Sequence, residues 1–141
     1  MDVTPVIARL KAQLTGFVSI GGAADLDAAI EGTPNAPAAY VLPLGEGAAE
    51  PYLGAGVTAQ TVTQGFGVVL VAQNLQDARG EAASKALAPM RAQVRQALLG
   101  WAPVPAEGQP VRFSAGRLLQ FAQGRLWWTD EWLVDTDIRS A

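Results

Sequence analysis

The tightest constraint on the fold lies near the end of the chain, in "RLWWTDEWLVDTDI" (125–138). From Leu126 the even positions run Leu, Trp, Asp, Trp, Val, Thr, Ile, and from Trp127 the odd ones run Trp, Thr, Glu, Leu, Asp, Asp. A strand sends successive side chains to opposite faces, so this spacing makes a dry face and a wet face. Helical spacing instead joins Trp128 and Trp132 to Asp135 and Arg139, a mixture that suits no single environment. Trp128, Trp132, Val134 and Ile138 are therefore expected in the core, and Thr129, Glu131, Asp135 and Asp137 in water. Trp127 falls on the wet side, which makes it a candidate for contact with a partner. Asp130 has the parity of the apolar side, so either a bulge turns it outward or it has a buried partner such as Arg117 or Arg125. The preceding "RLLQF" and the turn "AQG" make the whole segment a hairpin.

A second long strand is written in "VTAQTVTQGFGVVLVAQN" (57–74). Val62, Phe66, Val68 and Leu70 share one parity against Thr61, Thr63, Gly65 and Gly67, until "VVLVA" turns apolar on both sides. Such an ending suits a central strand covered on both faces at one end, with Gly65 and Gly67 marking a bulge or a close backbone approach.

Helices are expected on either side of these strands. Thr4 and Pro5 read as a cap and first helical residue, Val6, Ile7, Leu10 and Leu14 as the apolar stripe, and Gly16 as the stop. Asp25 is a candidate cap for a short helix with Leu26 and Ile30 on one face. "GTPNAP" is turn chemistry, "AAYVLP" is a short strand stopped by Pro43, and Leu44 to Gly56 reads as an exposed loop. Ala83, Leu87, Met90, Val94 and Leu98 step by helical intervals up to a closing glycine, Gly100. Pro89 interrupts that helix and is expected to kink it near Lys85 to Pro89 or to divide it in two. Arg91 and Arg95 lie opposite its apolar stripe, on a solvated face or a protein contact. The expected architecture is one α+β domain over residues 1–141, a mainly antiparallel sheet of about four strands with two main helices packed on it.

A chain of 141 residues, half of them apolar and 16% charged, can bury a core of its own. Its 10 basic and 13 acidic residues are scattered and sum to -3, which argues against sequence-specific nucleic-acid binding, a role that needs a basic face. No apolar run is long enough to span a membrane, so a membrane partner is not expected, and the lack of cysteine makes an intracellular site of synthesis the default.

With neither histidine nor cysteine in the chain, triads built on those residues, thiol chemistry and the usual zinc sites are unavailable, and no cofactor or metal is expected. Ser84 and Lys85 are adjacent and point to different sides of a helix. Paired acids are the enzymatic alternative: Glu131 with Asp135 or Asp137 could approach the 5 to 9.5 Å (roughly) that glycoside hydrolysis needs. All three share the solvated parity, where nothing perturbs a carboxylate far, so a wet strand face is favoured over a catalytic one.

"AAYVLP", the long strand, "LLGWAP" and the closing "WWTDEWLVDTDIR" together resemble the tail terminator proteins of long-tailed bacteriophages, over about Ile7 to Arg139. The resemblance implies a structural α+β subunit of a homo-oligomeric ring, typically a hexamer, at the head-proximal end of the tail tube. Its partners would be further copies of itself, the tail tube protein, and the head-tail connector or a head completion protein, with DNA passing through the lumen. It would be assembled in the host cytoplasm and reside in the virion neck. Candidate interface residues are Glu46, Glu50 and Tyr52 in the expected loop, Arg91 and Arg95 on the helix, and Trp127, Glu131 and Asp135 on the last hairpin. Alternatives are another neck or tail-completion protein, a small carboxylate enzyme, or a ligand-binding module using Trp127. Replacing Glu131 and Asp135 by their amides separates the enzyme from the structural protein: loss of a turnover with assembly intact favours the enzyme, and intact assembly with no turnover to lose favours the virion role.

Overall fold

The computed structural model describes residues 1–32, 35–73 and 81–140. Thr33 and Pro34 of the expected turn, and Asn74 at the end of the expected long strand, lie outside the described residues. The elements in chain order are α1 (Thr4–Gln13), β1 (Ser19–Gly21), α2 (Ala23–Glu31), β2 (Ala38–Ala48), β3 (Tyr52–Gly54), β4 (Val57–Gln73), α3 (Glu81–Leu98), β5 (Arg112–Ala122) and β6 (Arg125–Arg139). The α+β class agrees with the sequence. The sheet is larger than expected and mixed: six strands in the order β1-β2-β4-β6-β5, with β3 paired to β4 beyond the end of β2. Among the described residues only β1 and β2 run parallel; the other pairs are antiparallel.

Two apolar layers explain the strand patterns. On one face, α1 and α3 set Val6, Leu10, Leu87, Met90, Val94 and Leu98 against Val41, Phe66, Val68, Leu70, Trp132 and Val134. On the other, α2 covers one end of the sheet, where Ala29 joins Ala38, Tyr40, Val69, Val71 and Trp127. This second layer is why β4 becomes apolar on both sides near its end. It also corrects the expectation for Trp127, which is buried at 7% exposure rather than solvated; Thr129, likewise expected in water, is 6% exposed on the same face. Ile138, expected in the core, is 51% exposed because β6 continues past the helices.

Strand and helix lengths force that overhang. The 17 residues of β4 extend about 55 Å, whereas the 18 residues of α3 extend about 27 Å. The uncovered half contains the stretch expected as a loop. Leu44 to Ala48 instead continue β2 after a register shift between Pro43 and Glu46, and Tyr52–Gly54 form β3. Pro43 does not stop the strand because β2 there has a partner on one side only, so no ladder bond is lost on the other. Ala55 and Gly56, at φ 52° and 75°, close a two-residue turn between β3 and β4, and Gln123 and Gly124, at 55° and 74°, do the same between β5 and β6. Positive φ at both central residues matches the right-handed twist of the flanking strands.

Helix ends differ slightly from expectation. Val3 caps α1, and the Thr4 N–H donates to Asp2 Oδ1 at 2.9 Å, so Asp2 does the work expected of Thr4. Asp25 lies inside α2, accepting the Gly22 N–H at 3.0 Å. Pro89 does not divide α3 in two; it and Lys85 lie on the exposed side, where water can take the bond that proline cannot donate.

One polar group interrupts the helix-covered face. Asp130 is fully buried, and its partner is neither Arg117 nor Arg125 but Arg91. Arg91 Nη2 donates to Asp130 Oδ1 at 2.8 Å and Nε to both carboxylate oxygens at 3.1 Å, while Trp128 Nε1 adds a bond to Oδ1 at 3.0 Å. The guanidinium lies 4.7 Å from the Trp128 ring centroid. Gly116, opposite Asp130 on β5, leaves room for the cluster: a Cβ there would meet Asp130 Oδ1 at 2.7 Å and Arg91 Nη2 at 2.9 Å. Arg91 therefore faces inward, not onto a solvated face. Arg91→Met, which strips the buried carboxylate of its cation, is expected to cost about 3–5 kcal/mol, and adding Asp130→Leu to recover most of it. Urea midpoints decide this; a single variant as stable as the parent would remove the ion pair from what anchors α3.

Candidate interface surfaces

Two long sides of the sheet are bare among the described residues. β5 pairs with β6 on one side only, and every residue from Arg112 to Gln120 is exposed. On the opposite flank β1 covers β2 only through Ala38–Tyr40, leaving the outer side of the strand open beyond that point. The β5 edge displays Phe113, Leu118 and Leu119, at 38%, 53% and 46% exposure. Phe113 is held edge-to-face against buried Trp132 at 5.4 Å, and the Arg95 guanidinium sits 5.2 Å from its ring centroid.

A third surface is the overhanging end. Tyr52 and Leu53 on β3 are 73% and 69% exposed, with Val57 and Ile138 exposed nearby. Glu50 and Tyr52 line a shallow depression with Gln60, Asp137 and Arg139. Glu46 is also on this end, accepting a long bond of 3.4 Å from Gln64 Nε2.

The acids of β6 are spread along an open strand face. Asp137 accepts the Thr61 hydroxyl at 2.9 Å, and Asp135 accepts the Thr63 hydroxyl at 2.8 Å. Arg112 pairs with Asp135 at 3.2 Å and Arg117 with Glu131 at 3.3 Å. Glu131 and Asp135 are four residues apart on one strand, a rise of about 13 Å, and Asp137 is farther still. That separation exceeds what a two-carboxylate mechanism spans. The Thr63 hydroxyl, and next the Arg112 guanidinium, hold the Asp135 carboxyl below its ordinary value of 3.8. Among the described residues no three His, Cys, Asp or Glu side chains gather as a metal site, and no helix is long and apolar enough to cross a membrane.

Of the residues singled out from sequence, Glu46, Glu50, Tyr52 and Arg95 lie on exposed surface, Glu131 and Asp135 are half-buried in surface pairs, and Arg91 and Trp127 are turned inward. Leu53 lies in the stretch expected to be exposed, whereas Phe113, Leu118 and Leu119 were not singled out from the sequence as surface features. Their signal was apolar side chains in strands with no covering partner, which only strand order reveals.

A sheet with open flanks and apolar side chains beyond its helices presents the surface of a protein that works through contact with other proteins. The chain belongs to the phage tail terminator family: the family model described as "Phage tail terminator protein" matches residues 1–141, its whole length. No curated protein matches it. Membership makes it a structural component of a bacteriophage tail, which points away from catalysis and toward other tail and virion proteins as partners.

The depressed Asp135 carboxyl contributes stability that is present above 3.8 and lost as pH falls through its lower folded value. The stability difference between the parent and Asp135→Asn should stay level from neutral pH down to about that point and shrink below it. Urea midpoints across pH measure this; a difference that grows on acidification would remove the Thr63 and Arg112 contacts as its cause.

Proposed function

We propose that this chain is the subunit of a ring, a hexamer, that caps the head-proximal end of the tail tube, ends tube polymerisation and offers the docking surface for the head-tail connector or head completion protein. The observation that carries this is the overhanging end of the sheet, where Tyr52 and Leu53 stand exposed beyond both helical layers. An apolar tip on a rigid strand extension suits stacking against another ring of protein. The mechanism is steric: one side of the ring copies the tube subunit's stacking contacts, and the other cannot accept a further tube ring. Glu46, Glu50 and Tyr52 at the tip, Arg95 beside the β5 edge, and Glu131 and Asp135 on the hairpin are the contact residues of this proposal. The acidic balance of -3 favours passage of DNA through the lumen without adhesion. The ring is assembled in the host cytoplasm and remains in the virion neck.

A phage lacking the gene should yield overlong or headless tails by electron microscopy. Tyr52→Asp with Leu53→Asp should reproduce that defect while leaving the circular dichroism of the subunit unchanged, because neither side chain is in the core. Normal tails on filled heads in either case would count against a terminator role for this chain or for its tip, respectively.

A further inference from the structure

The two faces of the sheet are covered unequally. At the root five strands lie side by side, about 19 Å from β1 to β5. α1 and α3 share one face, whereas among the described residues α2 alone lies on the other. α2 is the crossover between the parallel strands β1 and β2, and such a helix packs back over the two strands it joins. The side of that face toward β6 and β5 is left without a helix of its own.

A groove marks the gap. Leu26 and Ile30 of α2 form one wall, Leu119 of β5 the other, and Val69 and Trp127 the floor, around a cavity of about 350 Å³ that Leu42 bounds toward the tip. Leu119 is the extra residue of the register shift between Leu118 and Gln120, and a bulge of this kind re-aims a side chain. The groove continues between the end of α2 and the β5–β6 turn as a second depression of about 210 Å³, lined in part by Gln123 and Arg125. From β2 to β5 is three strand spacings, about 14 Å, and a helix with its side chains is about 10–12 Å across. The space therefore takes one helix laid beside α2, with Leu26 and Ile30, four residues apart, as the ridge it packs against.

Among the described residues the chain has no helix to place there in a neighbouring copy. α1 and α3 bury their apolar stripes in their own subunit, and the outer side of α3 offers Ser84, Lys85, Ala88, Ala92 and Arg95. The lining sets the chemistry of an occupant from elsewhere. Ile30 and Leu119, at 62% and 46% exposure, call for an apolar stripe. Arg125 is the charged side chain that lines the groove among the described residues, and the exposed acids Asp27 and Glu31 of α2 are not part of the lining. Arg125 is engaged in its own chain, donating to the Gln123 carbonyl at 3.4 Å, yet a guanidinium has five donors, and its charge favours an acid on the occupant. Val69 lies ten residues along β4 from Ala59, the partner of Tyr52, a distance of about 33 Å, so groove and tip can be engaged by different proteins at once.

We infer that the groove beside α2 seats one amphipathic helix of the protein on the head side of the ring, its apolar stripe on Leu26, Ile30, Leu119 and Trp127 and an acid toward Arg125. This rests on the proposed capping role, in which the tip meets the tube, and gives the opposite end of the sheet to the connector or head completion protein.

Ile30→Asp with Leu119→Asp puts charge into the groove and leaves the tip untouched. Supplied to a phage lacking the gene, this variant should give tails of normal length that lack heads, with infective titre down roughly a hundredfold. Titre equal to the parent's, or overlong tails, from a soluble variant with unchanged circular dichroism would overturn the groove as the head-side seat. Should loss of the gene itself leave tails of normal length on filled heads, the capping role falls, and this assignment with it.

A photoreactive benzophenone side chain in place of Ile30 or of Leu119 decides the matter if the charged variant does not fold. In complete virions it should cross-link to a head-side protein, within a segment that has apolar residues at helical spacing and an acid beside them, and headless capped tails should give no product. A cross-link to another copy of this chain or to the tube protein, to a head-side segment without that spacing, or no product in complete virions would overturn the proposal.

Discussion

β4 and β6 stay in register from Ala59↔Arg139 to Gln73↔Arg125 without a shift, and strands of that length are about twice as long as the helices that pack on them. The rest of the architecture follows from this mismatch. Where helices reach, the pair is buried among Phe66, Val68, Leu70 and Trp132 on one face and Val69, Val71 and Trp127 on the other. Where they do not reach, the sheet holds together through its ladder and through Thr61–Asp137 and Thr63–Asp135 contacts that tolerate water. One sheet thus has a stable root and a projecting tip, and the tip is available for contact because the fold has nothing left to cover it.

At the root, the Arg91–Asp130–Trp128 cluster joins α3 to β6 through directional bonds inside an otherwise apolar layer. A hydrophobic layer alone lets a helix slide over a sheet with little change in buried area; a bidentate ion pair does not. Gly116 on the neighbouring strand is part of the same arrangement, since a methyl group there would press on both charged partners. Placing β5 by this contact also sets the position of Phe113, with Arg95 beside it, along the open edge.

Much of this was legible in the alternation of β6. Trp128, Trp132 and Val134 lie on the helix-covered side as their parity requires, and the out-of-pattern Asp130 announced a buried partner. The partner itself was not legible, because Arg91 is 39 residues away along the chain and nothing local to either residue shows that α3 packs over Asp130. Parity also misplaced Trp127, since alternation assigns two faces but not what covers them; α2, read only as a minor helix, supplies the cover. Leu44–Gly56 failed for a related reason. Glycine, alanine and proline give no period, and the strand there is sustained by pairing with β4 rather than by burial.

The sequence by itself determined local periodicity, the turns that join β5 to β6, the stripe of α3, and the lack of histidine and cysteine chemistry, because each depends on residues near one another along the chain. Only the tertiary structure decided which strand sides are bare, which apolar side chains stand outside the core, and which cation meets Asp130. Those properties depend on strand order and on the lengths of elements laid side by side, and neither is encoded in any single stretch of residues.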